Sequence, residues 1–427
     1  MNALVIFTLL AVLMLTGMPI SISLGLTVLT FLFTMTDVPL ESVALKLFTG
    51  IEKFEMMAIP FFILAGNFLT HGGVARRMIN FASSMVGHWY GGLGLAGVMA
   101  CALFAAVSGS SPATVVAIGS ILLPAMVKAG FPNKFGAGVI ATSGALGILI
   151  PPSIVMVMYS VATNTSVGAL FMAGVIPGLA LAATLGAVTW YRAKKFDYPR
   201  QPKATWGERW KSFTASAWGL LLIVVVMGGI YTGIFTPTEA AAMSAVYAFV
   251  VAVFVYKDMS LKDVPRVLLN SANMSAMLLY IITNAVLFSF IMTNENIPQA
   301  LADWMLGNGL GVITFLLAVN VILLLAGNFM EPSSIVLIFA PILFPVAVKL
   351  GIHPVHFGIL MVVNMEVGMC HPPVGLNLYV ASGITKMGIT ELTVAVWPWL
   401  LSMLGFLMVV TYWPELSLWL PRTMGML

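Results

Sequence analysis

Apolar stretches follow one another from the first residues of the chain to the last, and their unequal lengths are the first informative feature. A helix needs roughly 20 residues to cross the hydrocarbon core of a bilayer, and the blocks 3–33, 166–190, 214–234 and 388–412 are long enough. Others stop short. Residues 91–107 run into SGSSPAT from Ser108, with a second apolar piece at 115–127; residues 311–326 run into GNFMEPSS from Gly327, followed by 335–348. Each reads as a helix that enters the membrane, turns at a polar tip and leaves by the same face, giving re-entrant hairpins at about 91–127 and 311–349. Irregular backbone at membrane depth survives only when buried in protein or facing a water-filled cavity, so the two tips should line a site.

A second irregularity falls in SGALGILIPPS from Ser143 and MEVGMCHPPVG from Met365. Adjacent prolines remove amide donors and clash with the preceding turn, so helix cannot run through Pro151-Pro152 or Pro372-Pro373. The carbonyls before each pair lose their helical partners, and the residues after it start a new helix with a positive N-terminal end.

Composition agrees with this picture and narrows it. Of the 427 residues 60% are hydrophobic and only 8% charged, with mean hydropathy +1.04, which no water-soluble surface tolerates. The fold class is therefore an all-α polytopic membrane protein, its backbone polarity satisfied within helices. The first block has no Lys or Arg before Lys46 and is too long for the apolar core of a signal peptide, so it reads as a retained anchor. The two cysteines, Cys101 and Cys370, lie in separate apolar surroundings, which favours structural thiols over a disulfide or a Cys-based metal site. Seven of the 19 basic residues fall between Arg192 and Lys211, so the net charge of +4 marks topology rather than an acidic partner such as nucleic acid.

That basic stretch, YRAKKFDYPRQPKATWGERWK from Tyr191, divides the chain and is cytoplasmic by the positive-inside rule. On either side the same landmarks recur at an offset of about 220 residues: Pro112 and Pro332, Pro124 and Pro345, Lys128-x-Gly130 and Lys349-x-Gly351, and the two Pro-Pro pairs. Met18-Pro19 likewise aligns with Thr236-Pro237, and HGGVARR from His71 with NENIPQALADW from Asn294. The organisation expected is a first repeat at 1–190, a basic linker at 191–213 and a second repeat at 214–427. Each repeat carries scaffold helices, an arm, one hairpin and one broken helix, the latter at about 135–163 and 356–385. The arms are LFTGIEKFEMM from Leu47 and VPRVLLNSANM from Val264, which fit either amphipathic helices in the membrane interface or plain surface linkers.

Duplicated transporters place broken helices near the midplane at the repeat interface. A sodium ion is a hard cation that needs several oxygen ligands. The first half offers Ser108, Ser110 and Ser111 with carbonyls around Gly144, Gly147 and Ile150; the second offers Gly327, Asn328 and Glu331 with carbonyls from Gly368 through Cys370 to His371. Helix N-termini at both tips and after both proline pairs favour an anionic substrate group such as a carboxylate. Candidate substrate contacts are Ser110, Ser111, Pro152, Ser153, His371 and Asn377. Close helix packing is the competing explanation for a single Ser/Gly tip; two tips in register favour function.

Glu331 and Glu366 are acids within these apolar blocks and so functional candidates, although Glu366 could equally bond a neighbouring helix. Glu239 in TPTEA caps a helix. His371 stands where it could donate to a substrate carboxylate or bond a backbone carbonyl. Arg76 and Arg77, at a helix end, read as interfacial, and the 29 methionines as packing.

Taken together, SGSSPATVVAIG, GALGILIPPSI, TPTEAAA, EPSSIVLIFAPILFP and HPPVGLNLYVASGI resemble the large membrane subunit of tripartite ATP-independent periplasmic transporters, over essentially the whole chain. The resemblance implies an inverted-repeat, elevator-type, sodium-driven importer in the bacterial inner membrane. It further implies a small four-helix membrane subunit, here expected as a separate chain, and a periplasmic substrate-binding protein. The family's sodium ligands, carried to matching positions, fall on Ser108 and Ser111 with Gly144 to Pro151, and on Gly327 to Glu331 with Gly368 to His371. Many members have Thr before the second proline pair, whereas His371 in MCHPPVGLNLYV resembles the C4-dicarboxylate branch, with sialic acid or another sugar acid the second choice. The His leaves open what a side chain there contributes to sodium binding. An anion channel would need a continuous pore lined by charge or carbonyl rings rather than paired cradles. An enzyme is not expected: no HExxH, phosphate loop or nucleophile with a base is present, and no organic cofactor is implied.

Overall fold

The computed structural model describes residues 2–36, 38–309, 311–328, 330–372 and 375–427. Phe329 in the second tip, and Pro373 and Val374 in the second break, lie outside the described residues. Among the described residues the chain is helical without strands, and eight helices are long and apolar enough to cross a membrane.

The block 3–33 is not one crossing. It forms α1 (Asn2–Leu15) and α2 (Ile20–Met35), separated where Gly17 adopts φ +84° and Pro19 precedes the second helix. Next come α3 (Leu40–Thr49), a short 3₁₀ turn at Phe54–Met57, α4 (Ala58–His71) and α5 (Val74–Val86). The hairpin pieces are α6 (Gly92–Ser108) and α7 (Ser111–Lys128). Then α8 (Asn133–Ser143) tightens into a 3₁₀ turn at Gly144–Ile148, ends at the proline pair, and resumes as α9 (Ile154–Thr163).

Helix α10 (Val167–Lys195) carries the chain through its longest uninterrupted span of this half, and α11 (Trp206–Tyr231) begins beyond the basic stretch. Helix thus invades both ends of the expected linker and leaves only 196–205 irregular. The reasons are local: Arg192, Lys194 and Lys195 in the last turn complement the helix dipole, and Thr205 with Glu208 forms a capping box. Glu239 does the same at the start of α12 (Pro237–Val250), where it and Thr236 form a second capping box; this is the capping role read from TPTEA.

The segment from Val264 is not a separate arm. It is the opening of α13 (Val264–Asn294), a continuous helix of 31 residues. The remaining helices are α14 (Ile297–Gly307), α15 (Val312–Gly327), α16 (Pro332–Lys349), α17 (Pro354–Cys370), α18 (Leu376–Thr385), α19 (Ile389–Tyr412) and α20 (Glu415–Thr423).

What positions the site is how these helices interlock. The helix after the first break, α9, packs on α16 of the second hairpin, and α18, after the second break, packs on α7 of the first. Helices α4 and α13 pack on each other and meet this core through α6 and α16 respectively. Lys53, just before the first 3₁₀ turn, donates from Nζ to the Val161 carbonyl at 2.5 Å and to Asn164 Oδ1 at 2.8 Å, fastening the approach to α4 onto the end of α9. Arg76 and Arg77 both pair with Asp258 beyond α12. Cys101 and Cys370 are buried, free thiols.

Candidate functional site

The first tip is shaped by two adjacent residues. Gly109 takes φ +60°, a left-handed turn that closes α6, and Ser110 is extended before α7 starts at Ser111-Pro112. Ser108 Oγ lies 2.9 Å from Thr114 Oγ1, and the Thr114 hydroxyl donates to the Ser110 carbonyl at 2.8 Å, so the tip is braced by its own hydroxyls.

The first break lies directly behind it. A Cβ on Gly147 would stand 2.6 Å from the Ser110 carbonyl carbon and oxygen and 2.7 Å from the Ser111 nitrogen; one on Gly109 would stand 3.0 Å from the Pro152 carbonyl oxygen. Glycine is what lets the two backbones touch. Ser153 caps α9, accepting from the Met156 amide at 3.4 Å while its hydroxyl donates to the Ile148 carbonyl at 2.5 Å. Of the sequence candidates in this half, Ser108, Ser110, Ser111, Gly144, Gly147, Ile150, Pro151, Pro152 and Ser153 are thus brought into one neighbourhood.

The second tip repeats the architecture with different chemistry. Gly327 and Gly368 meet backbone to backbone, a Cβ on either standing 3.0 Å from the other's Cα. Glu331 precedes α16 and accepts from the Ser333 hydroxyl at 2.5 Å. Asn328 faces the second break: one end of its side-chain amide lies 3.0 Å from His371 Nδ1, 3.0 Å from the Pro372 carbonyl and 3.1 Å from the His371 carbonyl. His371 is therefore engaged with the second tip.

Asn377 belongs to the first tip although it lies in the second half. It is fully buried; its Nδ2 donates to Ser111 Oγ at 2.8 Å and to the Ala141 carbonyl at 3.2 Å, and the Ser111 hydroxyl lies 3.0 Å from Asn377 Oδ1. Cys370 Sγ donates to the same Ala141 carbonyl at 3.4 Å. Asn377→Leu removes these bonds and leaves the Ser111 hydroxyl buried without its partner. Since each orphaned buried group costs about 1–3 kcal/mol, the purified variant should unfold at clearly lower temperature than wild type; an unchanged melting curve would show that this bridge contributes nothing.

The two tips meet at one cavity of about 440 Å³. Ser108 to Ala113 line it from the first tip, Glu331 to Ser333 from the second, and Ile148, Ile154, Met369 and Leu376 from the two breaks. The starts of α7, α9, α16 and α18 contribute to its wall, so positive helix ends surround it. Its opposite wall is α4 and α13, through Asn67, Thr70, Met274 and Met277. Sequence reading passed over Asn67 and Thr70. Their signal was present as lone polar residues in the apolar run AIPFFILAGNFLTH, and Asn67 now donates to Ser271 Oγ at 2.8 Å, joining α4 to α13. His371, Asn377, Pro152 and Ser153 do not line this cavity; they hold the segments that do.

The donors fit a hard cation. Each tip presents hydroxyl or carboxylate oxygens against backbone that a single Cβ would displace, and such oxygens are the hard donors that a cation of this kind takes. Among the described residues no cluster of three or more His, Cys, Asp or Glu could hold a transition metal.

The family model of the tripartite ATP-independent periplasmic transporter, DctM component, matches residues 7–416. The chain belongs to that family. It is therefore a multi-pass membrane component of a transporter, not a member of an enzyme class. It is 76% identical, with both chains covered completely, to the C4-dicarboxylate TRAP transporter large permease protein DctM of Rhodobacter capsulatus. Identity is 54% to the protein of the same name from Pseudomonas aeruginosa, with 95% of each chain covered. Among solved structures, the Alcanivorax borkumensis YdaH transporter superposes with TM-score 0.64 over 90% of this chain and 88% of its own at 14% identity, a likeness of fold.

Proposed function

We propose that this chain is the translocating subunit of a sodium-coupled importer of C4-dicarboxylates. The observation that carries the reading is the convergence of both hairpin tips and both breaks on one cavity ringed by helix N-termini. The names of the relatives at 76% and 54% identity supply the substrate class. In this reading Ser108, Ser111, Gly144, Gly147, Ile150 and Pro151 form one sodium cradle, and Gly327, Asn328, Glu331, Gly368, Cys370 and His371 the other.

Ser110 and Ser111 then meet the substrate carboxylate, with Asn67, Thr70 and Ser333 offering further polar groups from around the cavity. Bound sodium would supply the positive charge that makes the tips attractive to a dianion. Asn377, Ser153 and His371 act by holding the tips in place. The core of tips and breaks would carry the cavity past the frame of α4 and α13, as in an elevator, in the inner membrane with the 196–205 loop on the cytoplasmic side. The partners are a small membrane subunit and a periplasmic substrate-binding protein.

Reconstitution with both partners in proteoliposomes tests this. Labelled succinate should accumulate when sodium is higher outside and fall to the protein-free background when potassium replaces sodium on both sides. Uptake that is indifferent to the sodium gradient would overturn the coupling.

A further inference from the structure

Glu366, on α17, plays no part in the site described so far. It is fully buried, and among the described residues neither carboxyl oxygen has a hydrogen-bond partner. No protonation state of this group is satisfied by protein alone: an ionised carboxylate needs donors or a cation, and a neutral carboxyl needs an acceptor for its O–H.

Helix geometry says what it faces. Residues four apart share a face, while residues two apart point to nearly opposite sides. Asn364 donates to Asn320 Oδ1 at 2.9 Å, and Gly368 lies against Gly327, so that face of α17 belongs to α15. Glu366 and Cys370 therefore point away from α15, and Cys370 reaches the Ala141 carbonyl on α8. Helix α17 also packs on the 3₁₀ turn Gly144–Ile148 that follows α8. The start of α17 lies at the far end of the broken helix, where the Tyr159 hydroxyl of α9 donates to the Pro354 carbonyl at 2.8 Å, so α17 runs antiparallel to 141–159 and stepping back one turn from Cys370 to Glu366 leads from Ala141 towards that turn. At the junction stands Ser143, also fully buried, whose Oγ has no hydrogen-bond partner among the described residues either. Gly144 and Gly147 turn their Cα faces to Val115, Ser110 and Ser111, so α17 meets the turn on a different side from the first tip.

We propose that Glu366 and Ser143 are ligands of a further monovalent cation site between α17 and the 144–148 turn, additional to the two tip cradles. Two carboxylate oxygens and a hydroxyl are hard donors. A single positive charge neutralises the lone carboxylate, whereas a divalent ion would leave net charge in apolar surroundings. The inference rests on the sodium-coupled reading above, with sodium as the cation.

The test uses the full complex of this chain with its small membrane subunit, titrated with sodium chloride against potassium chloride at constant ionic strength. Thermal stabilisation and the sodium dependence of uptake are both read. Glu366→Gln should raise the sodium midpoint by at least about tenfold and lower the Hill coefficient of uptake by about one, because ligand charge sets affinity at such sites. Ser143→Ala should move both readouts in the same direction. If Glu366→Gln does not fold, Glu366→Asp, which keeps the charge, and Ser143→Ala decide. Sodium midpoints and Hill coefficients unchanged in these variants, beside a sodium-responsive wild type, overturn this site and leave the transport reading standing. A wild type that does not respond to sodium overturns the sodium reading itself, and this site with it.

Discussion

Gly147→Ala should reduce sodium-dependent uptake by about 10- to 100-fold while leaving the protein folded. The added methyl would sit 2.6 Å from the Ser110 carbonyl and 2.7 Å from the Ser111 amide nitrogen. Both are backbone atoms, so no rotamer change can relieve the contact; the tip must move away from the break. Overpacking of this kind costs about 1–3 kcal/mol, which at about 1.4 kcal/mol per decade gives the stated range if the displacement falls on the cradle. The control is Gly228→Ala on α11, where a Cβ meets nothing within 4 Å and uptake should be unchanged. Radiolabelled uptake with sodium titration measures both. Wild-type rates in Gly147→Ala would mean that contact between tip and break is not part of the mechanism.

Trp399→Ala should be the most destabilising single change, by about 3–5 kcal/mol, the usual range for emptying a large aromatic site. Trp399 is fully buried on α19. Its Nε1 donates to Thr189 Oγ1 on α10 at 2.9 Å, its ring lies 5.6 Å from that of Phe135, and it stands where a side chain on Gly138 would go. It thereby fixes α8, the helix that leads into the first break. Trp399→Phe should recover most of the packing but not the bond to Thr189. Trp218→Ala, at a site 46% exposed, should be nearly neutral. Denaturant or thermal unfolding in detergent ranks the three, and equal stability of Trp399→Ala and Trp218→Ala would refute the assignment.

Much of the local architecture was readable because it follows from length and proline chemistry. An apolar run of 91–107 is short for a crossing, and α6 does end at Ser108, although the second arms α7 and α16 reach 18 residues each and count among the helices long enough to cross. Pro151-Pro152 does separate α8 from α9. The misses share a cause. Counting apolar residues ran straight through Gly17 and Pro19 and merged α1 with α2. The polar pattern from Val264 is the same whether it belongs to a separate arm or to the end of a long helix, and α13 took the second course. Basic residues from Arg192 suggested loop, yet they stabilise the end of α10 through its dipole.

From sequence alone it follows that lipid surrounds this protein and that two short helical pairs and a proline break must be sheltered inside it, because hydropathy and missing amide donors act within a few residues. Only the tertiary structure decided which partners meet. That α18 closes the first tip through Asn377 and Ser111, that His371 turns to Asn328, that Asn67 and Thr70 wall the cavity, and that Glu366 has no hydrogen-bond partner among the described residues all depend on how helices distant in sequence interlock. No local propensity encodes a contact between residues 266 positions apart; packing of the whole core does.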